Sequence, residues 1–345
     1  MYLLSPKNIY NTYTVKIGEN QKKIMCGIKI AIHSFREMIK NKLKKHKEAL
    51  VIGGTGFVGC HLVEFLIKKK FRVYSISRSK PKKNREIKNV KYLICDIAKK
   101  NLLKKKLKKL INLDYIINLG GEVDHKSFKN TYLSHYIGAK NLGEFFLNKK
   151  IKKFVQIGSS MEYGHSSSPQ DENKTCKPKS KYGKAKYLAT KHLIKLYLKY
   201  QFPAVILRPY QIYGPRQNSN RLIPFVIKNC IKNNQFPCSN GKQSRDFLFI
   251  TDFIKAAYKA LKSKNNTNGQ IINIGYGKPY NLKKLINLIR NKLKFGKPDF
   301  GKIKLRKEEN LVTYPTINKA KKILRWEPNI KFKNGIAKTI KSYKK

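Results

Sequence analysis

A tyrosine and a lysine four positions apart are the first residues of this sequence that could do chemistry together. Tyr182 and Lys186 begin and end the segment Tyr-Gly-Lys-Ala-Lys, and on a helix this spacing places both side chains on one face. A neighbouring ammonium lowers the pKa of a phenol from about 10, and such a phenol can exchange a proton with a hydroxyl or carbonyl oxygen. The pair alone is weak evidence for a catalytic site, because a chain with 20 Tyr and 77 Lys plus Arg can contain this spacing by chance.

Two serines upstream strengthen this interpretation. The apolar run 154–157 is typical of a strand, and Gly158, Ser159 and Ser160 follow it directly. Ligands of α/β sheets bind at the carboxyl ends of the strands, so a serine hydroxyl here is expected to hydrogen-bond the same substrate oxygen as Tyr182. The alternative is that the two serines only cap a turn. We predict a catalytic arrangement of Ser159, Tyr182 and Lys186.

A glycine-rich turn near residue 53 predicts a second ligand. Gly53, Gly56 and Gly59 follow an apolar strand pattern and open a helical pattern that begins with Phe57 and Val58. The first glycine permits a tight turn, the second lets the backbone approach a pyrophosphate, and the third lets the helix pack closely on the strand. The backbone N–H groups at the helix N terminus then face the anion. We predict a bound dinucleotide; the alternative is a plain strand-to-helix turn.

The ends of the second and third predicted strands bear on which dinucleotide is bound. An acidic residue after the second strand would bind the ribose 2'-hydroxyl, but the sequence has Ser77 followed by Arg78. A guanidinium attracts a 2'-phosphate, so we expect NADP(H) over NAD, the alternative being that Arg78 is a solvated loop charge. Asp96, followed by Ile97, is placed to meet the adenine amino group, or else it caps the next helix.

Strand and helix patterns alternate along most of the chain, which predicts an α/β fold with a Rossmann-type doubly wound parallel sheet. We assign residues 1–46 to a basic N-terminal extension, 47–208 to the dinucleotide-binding domain with later returns near 245–275, and 209–345 mainly to a smaller substrate-binding lobe. The extension is expected to be loosely ordered, the alternative being a basic helix on a membrane surface. The predicted strands are 49–52, 71–76, 90–95, 115–119, 154–157, 204–207 and 271–274.

Composition limits the function only loosely. The net charge of +58 is spread along the whole length, which indicates a compositional bias and no specific nucleic-acid site. The six cysteines include no C-x-x-C pair and lie outside metal-ligand spacing from any histidine, so no metal site is expected. No apolar run reaches the roughly 18 residues of a membrane span. We therefore expect a cytoplasmic protein with reduced thiols.

Together these motifs resemble the extended short-chain dehydrogenase/reductases, the group of nucleotide-sugar epimerases, dehydratases and reductases. The resemblance runs from about Glu48 to the C terminus. It is carried by the glycine turn, the strand end Asn118–Gly121, Ser159 before Tyr163 and Gly164, the Tyr182 and Lys186 pair, the run Leu207–Pro215, Arg245 and Asp246 with Asp252, Asn273–Gly275, and Trp326–Pro328 followed by Gly335.

The resemblance implies positions along the cofactor. Leu119, Gly120 and Gly121 would line the side of the nicotinamide ribose. Pro209 and Ile212 would lie near the nicotinamide ring. The catalytic tyrosine and lysine would contact the cofactor as well. The reason is that the hydride is transferred at the carbon, and the proton at the oxygen, of the same C–O group of the substrate.

A nucleotide-diphosphate sugar is the substrate that the resemblance implies. Gln211 stands where the family usually has an Asn that meets the diphosphate, and Arg245 stands where an Arg grips it. Ser160 and Met161 follow the catalytic serine and would line the substrate. Arg221 is a further candidate, the alternative being a solvated surface residue. A homodimer is usual among such enzymes and is expected here.

Departures from the family pattern bear on the reaction. Sugar 4,6-dehydratases resemble one another in an acidic pair directly after the catalytic Ser or Thr, where this chain has Ser160 and Met161. Glu162 comes one position later and is expected to point to the opposite side of the backbone. His135 replaces a common Asn, which would alter a hydrogen bond that supports the active-site helix.

We therefore expect an NAD(P)-dependent epimerase or 4-keto-sugar reductase, in which Tyr182 is the acid and base. A nucleotide-sugar dehydratase is one alternative. A nonenzymatic Rossmann protein that binds NADP(H) or RNA is another.

Overall fold

Contacts mark off Lys47–Lys345 as one compact unit of the chain. The Lys-rich extension predicted at the N terminus lies, apart from His46, outside the described residues. The computed structural model of the chain describes residues 46–108, 110, 112–122, 127–305 and 310–344.

The strands of this unit divide between one large sheet and two small ones. Within the described residues they are β1 (Glu48–Ile52), β2 (Arg72–Ser77), β3 (Val90–Ile94), β4 (Tyr115–Asn118), β5 (Lys153–Ile157), β6 (Ala204–Pro209), β7 (Gln211–Tyr213), β8 (Gln235–Cys238), β9 (Ser244–Phe249), β10 (Ile271–Ile274), β11 (Pro279–Asn281), β12 (Lys297–Phe300) and β13 (Val312–Thr313).

Most of the described helices lie between these strands in the chain, and two follow the last strand. A π-helical turn at Leu133–Ile137 joins the third helix to the fourth. The α-helices of the described chain are α1 (Phe57–Lys68), α2 (Lys100–Leu107), α3 (Phe128–Tyr132), α4 (Gly138–Phe146), α5 (Lys181–Tyr200), α6 (Leu222–Ile231), α7 (Ile250–Leu261), α8 (Leu282–Leu293), α9 (Asn318–Leu324) and α10 (Phe332–Tyr343). No helix in this part of the chain is both long and apolar enough to cross a membrane.

The large sheet has seven strands in the order β10-β6-β5-β4-β1-β2-β3, and every neighbouring pair is parallel. Both of its faces are covered. Along β1, Ala49 and Val51 belong to one hydrophobic cluster, while Leu50 and Ile52 belong to another on the opposite face. Successive side chains of a strand point to opposite faces, so a central strand buried on both sides is apolar throughout. The predicted doubly wound Rossmann-type fold is confirmed.

The seven predicted strands are the strands of this sheet, with ends that agree or differ by at most two residues. One difference is at β5, which begins one residue early at Lys153. That lysine is buried, and its Nζ donates to the Lys264 carbonyl, Thr267 Oγ1 and Asn268 Oδ1 at 3.1, 3.1 and 2.5 Å. A lysine is normally exposed, so only these distant oxygen acceptors make its burial tolerable.

A smaller sheet assembled after Pro209 stands beside the large one. Its order is β11-β9-β13, and β7 also pairs with β9. The register sets Gln211 of β7 opposite Phe247, two positions from Arg245 on the same strand. Residues two apart on a strand share a face, so this pairing brings the predicted diphosphate ligands Gln211 and Arg245 to one side of the sheet.

Candidate active site

The turn after β5 and the start of α5 carry the predicted catalytic residues. Ser159 precedes a short 3₁₀ turn at Ser160–Tyr163, and Ser180 caps α5 by accepting a 3.0 Å hydrogen bond from the Gly183 backbone. A Cβ at Gly183 would collide with the carbonyl oxygen of Met161. The missing side chain therefore lets α5 lie directly against the turn, which brings Tyr182 to Ser159.

The pKa of Tyr182 moves in the opposite direction to the one the sequence predicted. Burial raises the pKa of Tyr182 to about 12, although its hydrogen bond with Ser159 opposes the rise. Lys186 does not offset this, because its Nζ donates to the Ile157 carbonyl at 2.7 Å and lies 5.8 Å from the centre of the Tyr182 ring. Burial also lowers the pKa of Lys186 to about 8. Within the protein's own groups, desolvation outweighs the expected attraction between ammonium and phenolate.

Ser159 caps the turn and faces Tyr182 as well, so the two interpretations of this serine do not exclude each other. Its Oγ accepts a hydrogen bond from the Met161 backbone at 3.1 Å. Its own N–H donates to Glu162 Oε1 at 2.8 Å, which completes a reciprocal capping box. Both ends of the serine are thus held in place before any ligand arrives.

A buried ion pair behind this turn is a feature that sequence reasoning missed. Glu162 Oε2 accepts 3.0 and 2.8 Å hydrogen bonds from Nε and Nη2 of Arg208, whose guanidinium lies 4.6 Å from the centre of the Tyr163 ring. Both charged side chains are almost fully buried. Glu162 does not line the substrate cavity, as expected, and it acts as a positioning residue for Ser159. The Ser-x-x-Glu spacing was a signal for its cap, but Arg208 is 46 positions away.

The glycine turn has the shape of a cradle for a pyrophosphate. Gly53 has a φ of +79°, and a Cβ there would come within 3.1 Å of the Leu119 and Gly120 backbone. A Cβ at Gly59 would collide with the Gly53 carbonyl oxygen. No side chain caps the N terminus of α1, whose first residues are Phe57 and Val58. Backbone N–H groups that no side chain caps suit an anion, so these residues fit the predicted dinucleotide.

Two residues that are predicted to bind the adenosine, Ser77 and Asp96, lie within hydrogen-bond distance of backbone N–H groups of the protein. Ser77 Oγ lies 3.4 Å from the Thr55 backbone nitrogen, and Asp96 Oδ1 accepts from the Ala98 backbone at 2.9 Å. Asp96 therefore does cap the following turn, and a contact with adenine stays a prediction. Ile97 is buried. Arg78 forms an ion pair of 2.8 Å with Glu122, a residue that sequence reasoning did not single out.

The predicted nicotinamide end lies beside Tyr182. Gly120 and Gly121 follow β4, and a Cβ at Gly121 would collide with the ring of His135. That ring stands edge-on to Tyr182 with 5.0 Å between centroids, and its Nε2 lies 3.1 Å from the Glu122 carbonyl oxygen. Leu119 and Pro209 are partly buried at the ends of β4 and β6. The histidine that replaces the usual Asn thus joins the end of β4 to the catalytic tyrosine.

A cavity of about 500 Å³ is lined by Ser160 and Ser180, which are close in the chain to the predicted catalytic residues Ser159 and Tyr182. Its lining includes Ile212 and all five predicted substrate residues, so the structure brings these together, while their contacts with a substrate remain predictions. Sequence reasoning missed other polar residues of the lining, which come from separate loops and share no local motif. The five predicted residues are Ser160, Met161, Gln211, Arg221 and Arg245, and the missed polar ones include His165, Lys179, Asn220 and Asn310.

A larger cavity of about 960 Å³ lies outside this site. It is lined by lysines and arginines such as Lys82, Arg85 and Lys341. The two cavities share Gln217 and Asn220. The lining of the larger cavity includes none of the predicted catalytic or substrate residues, so its size carries no argument about the reaction.

Comparisons with known proteins agree with this geometry. The model of the NAD dependent epimerase/dehydratase family matches residues 49–275. A putative UDP-glucose 4-epimerase of Methanocaldococcus jannaschii is 32% identical over 305 residues, covering 84% of this chain and 96% of the relative. The dTDP-D-glucose 4,6-dehydratase of Homo sapiens is 28% identical, with 86% and 90% covered.

Solved structures show the same fold. The UDP-glucuronic acid 4-epimerase of Bacillus cereus, in complex with UDP-glucuronic acid and NAD, has a TM-score of 0.79 at 25% identity, with 86% of this chain and 99% of that chain covered. The UDP-glucose 4-epimerase of Thermotoga maritima, with UDP-glucose, has a TM-score of 0.81 at 22% identity, with 86% and 98% covered.

The Glu162 and Arg208 ion pair predicts a large stability effect. Glu162→Gln keeps the shape of the side chain but leaves a buried guanidinium without its countercharge, so the free energy of unfolding should fall by about 3–5 kcal/mol. Glu64→Gln is the matched control, because Glu64 pairs with Lys68 and Arg216 at a half-exposed site, where about 0–1 kcal/mol is expected. Urea unfolding of both variants at pH 7 measures the difference, and equal losses would contradict the assignment.

Proposed function

The chain belongs to the NAD-dependent epimerase/dehydratase family, and we propose that it is an NAD(P)-dependent epimerase or 4-keto-sugar reductase acting on a nucleotide-diphosphate sugar. One observation carries the proposal: Ser159 and Tyr182 are hydrogen-bonded, and their chain neighbours Ser160 and Ser180 line a cavity to which Arg221 and Arg245 also belong. Two guanidinium groups suit a diphosphate, and a phenol hydrogen-bonded to a serine suits proton transfer at a sugar oxygen.

The chain's own residues supply binding and proton transfer. When bound, the cofactor would accept or donate the hydride. Tyr182 takes the proton of the sugar hydroxyl during oxidation and gives a proton to the keto oxygen during reduction, while the Ser159 hydroxyl donates a hydrogen bond to the same oxygen. Arg221 acts on this step as well, because its charge favours the phenolate form of Tyr182. Arg221 would therefore link the binding of the diphosphate to the state of the catalytic phenol.

Epimerisation and reduction use the same groups, and different observations favour each. The relatives include a UDP-glucuronate 4-epimerase of Thermodesulfobacterium geofontis, 27% identical, which supports epimerisation. Ser77 and Arg78 at the end of β2 support reduction, because they favour NADPH, which would deliver a hydride to a 4-keto sugar and then leave. Both reactions therefore stay within the proposal.

Dehydration is the less favoured reaction, although dehydratases are among the relatives. Ser160 and Met161 line the cavity where the acidic pair of the dehydratases would stand. Glu162, the carboxylate that follows these residues, has both oxygens engaged by Ser159 and Arg208. It is therefore not available to move a proton during the loss of water.

We further propose NADP(H) as the cofactor, a homodimer as the assembly and the cytoplasm as the location. Ser77 and Arg78 at the end of β2 support the cofactor preference. Exposed apolar side chains on the packed helices α3 and α5, such as Phe128 and Leu188, at 48% and 37% exposure, support a second copy as partner. Five described cysteines, Cys60, Cys95, Cys176, Cys230 and Cys238, are free thiols, as in a reducing compartment.

Removal of one oxygen tests the enzymatic proposal. Tyr182→Phe should lower kcat with nucleotide sugars by about 10²–10⁴-fold, because the proton donor is lost, and should leave cofactor binding intact. Tyr187→Phe is the control on the same helix, since that tyrosine lies at a different cavity. Turnover of a nucleotide-sugar panel, measured with cofactor binding by calorimetry, gives both values. Unchanged biological activity of the Tyr182 variant would favour the nonenzymatic binding protein.

Loss of a guanidinium tests the substrate class. Arg245→Gln should raise KM for a nucleotide-diphosphate sugar by about tenfold to a hundredfold, because a charge-assisted hydrogen bond contributes about 1.5–3 kcal/mol. Lys242→Gln removes an equal charge from an exposed position outside the cavity and should leave KM unchanged. Steady-state kinetics at two salt concentrations measure this. Binding of RNA that collapses with salt and ignores nucleotide sugars would instead support the RNA-binding alternative.

A further inference from the structure

An ion pair spans the place where the proposed cofactor would cross the sheet. Arg78 follows the end of β2 and Glu122 lies just beyond β4, and these two strands flank β1 on either side. Arg78 Nη1 and Glu122 Oε2 are 2.8 Å apart. The pair therefore passes above the carboxyl end of β1, where the glycine turn begins.

A dinucleotide needs the same region. On a Rossmann fold it lies along the carboxyl edge of the sheet, with its pyrophosphate at the glycine turn and its adenosine towards the second strand. Arg78 is the cation at the adenosine end, and the hydrogen bond with Glu122 raises its pKa further. A guanidinium already bound to a carboxylate cannot bind a phosphate through the same N–H groups.

The backbone of Glu122 is fixed, and 18% of its side chain is exposed to solvent. Its N–H donates to Ser134 Oγ at 3.0 Å, and its carbonyl oxygen lies 3.1 Å from His135 Nε2, both residues belonging to the π-helical turn. The ion pair is partly open to solvent, with 51% of the Arg78 side chain exposed. Such a pair is weak and can be broken by a rotation of two side chains.

We propose that Glu122 is an internal substitute for the 2'-phosphate of NADP(H): it neutralises Arg78 until the cofactor binds, and the phosphate then displaces it. This rests on the cofactor preference proposed above. A phosphate has more charge than a carboxylate and binds a guanidinium through paired hydrogen bonds, so it displaces the carboxylate from Arg78. NAD has no such group and gains nothing from Arg78. Glu122 therefore lowers the affinity for NADP(H) by the free energy of the ion pair that the phosphate must displace, while NAD, which does not use Arg78, is little affected.

The test is cofactor binding measured by calorimetry on the whole protein. Glu122→Gln should tighten the Kd for NADPH by roughly fivefold, the worth of an exposed ion pair, and change the Kd for NADH less. Glu144→Gln is the control. Glu144 lies on α4 and pairs with Lys100, so the variant removes the same charge elsewhere and should leave both Kd values unchanged. Weaker NADPH binding in the Glu122 variant, or no change, would overturn the exchange.

A second variant separates this inference from the cofactor preference. Arg78→Gln should weaken NADPH by at least about tenfold with little effect on NADH, and Glu122→Gln should have no further effect in that background. If Arg78→Gln weakens both cofactors equally, the NADP(H) preference itself is wrong. If it weakens NADPH selectively while Glu122→Gln changes nothing, the preference stands and the exchange is refuted.

Discussion

The hydrogen bond from the Ser159 backbone to the buried Glu162 carboxylate is the contact on which the rest of the site depends. It fixes the turn after β5, against which α5 packs, and so it sets the distance between the serine hydroxyl and the phenol of Tyr182. Arg208 supplies the countercharge without which the carboxylate would not stay buried. The proposed catalytic pair is thus positioned by charges that lie outside the lining of the substrate cavity.

Acidic residues are scarce in this protein, and several of those it has hold backbone in place. The chain has 19 Asp plus Glu against 77 Lys plus Arg. Asp246 accepts hydrogen bonds from the Tyr276 and Gly277 backbone at 2.7 and 2.6 Å, and Asp252 accepts from Asn329 and Ile330 at 3.0 and 2.8 Å. Lysines on the surface can accumulate at little cost, because water solvates them. Buried carboxylates organise loops, so their positions and not their number shape the fold.

The two ligand regions share one line of contacts at the end of β4. His135 contacts Tyr182 on one side and the Glu122 carbonyl on the other, and Glu122 in turn reaches Arg78 at the adenosine end. A movement of Arg78, at the predicted adenosine end, can therefore shift Tyr182 through the contacts of Glu122 and His135. The family pattern of an Asn in place of His135 would lack the aromatic part of this line of contacts.

The sequence by itself determined the sheet, the glycine turn and the choice of Ser159, Tyr182 and Lys186 as candidate catalytic residues. These follow from short-range rules: alternation marks strands, a spacing of four marks one helix face, and glycines mark close backbone approach. Tertiary structure alone decided that Arg78 meets Glu122, that Lys153 is buried and that the pKa of Tyr182 rises. Each of these depends on a contact between residues far apart in the chain or on the loss of water from around a group. A short stretch of sequence shows neither the contact nor the desolvation.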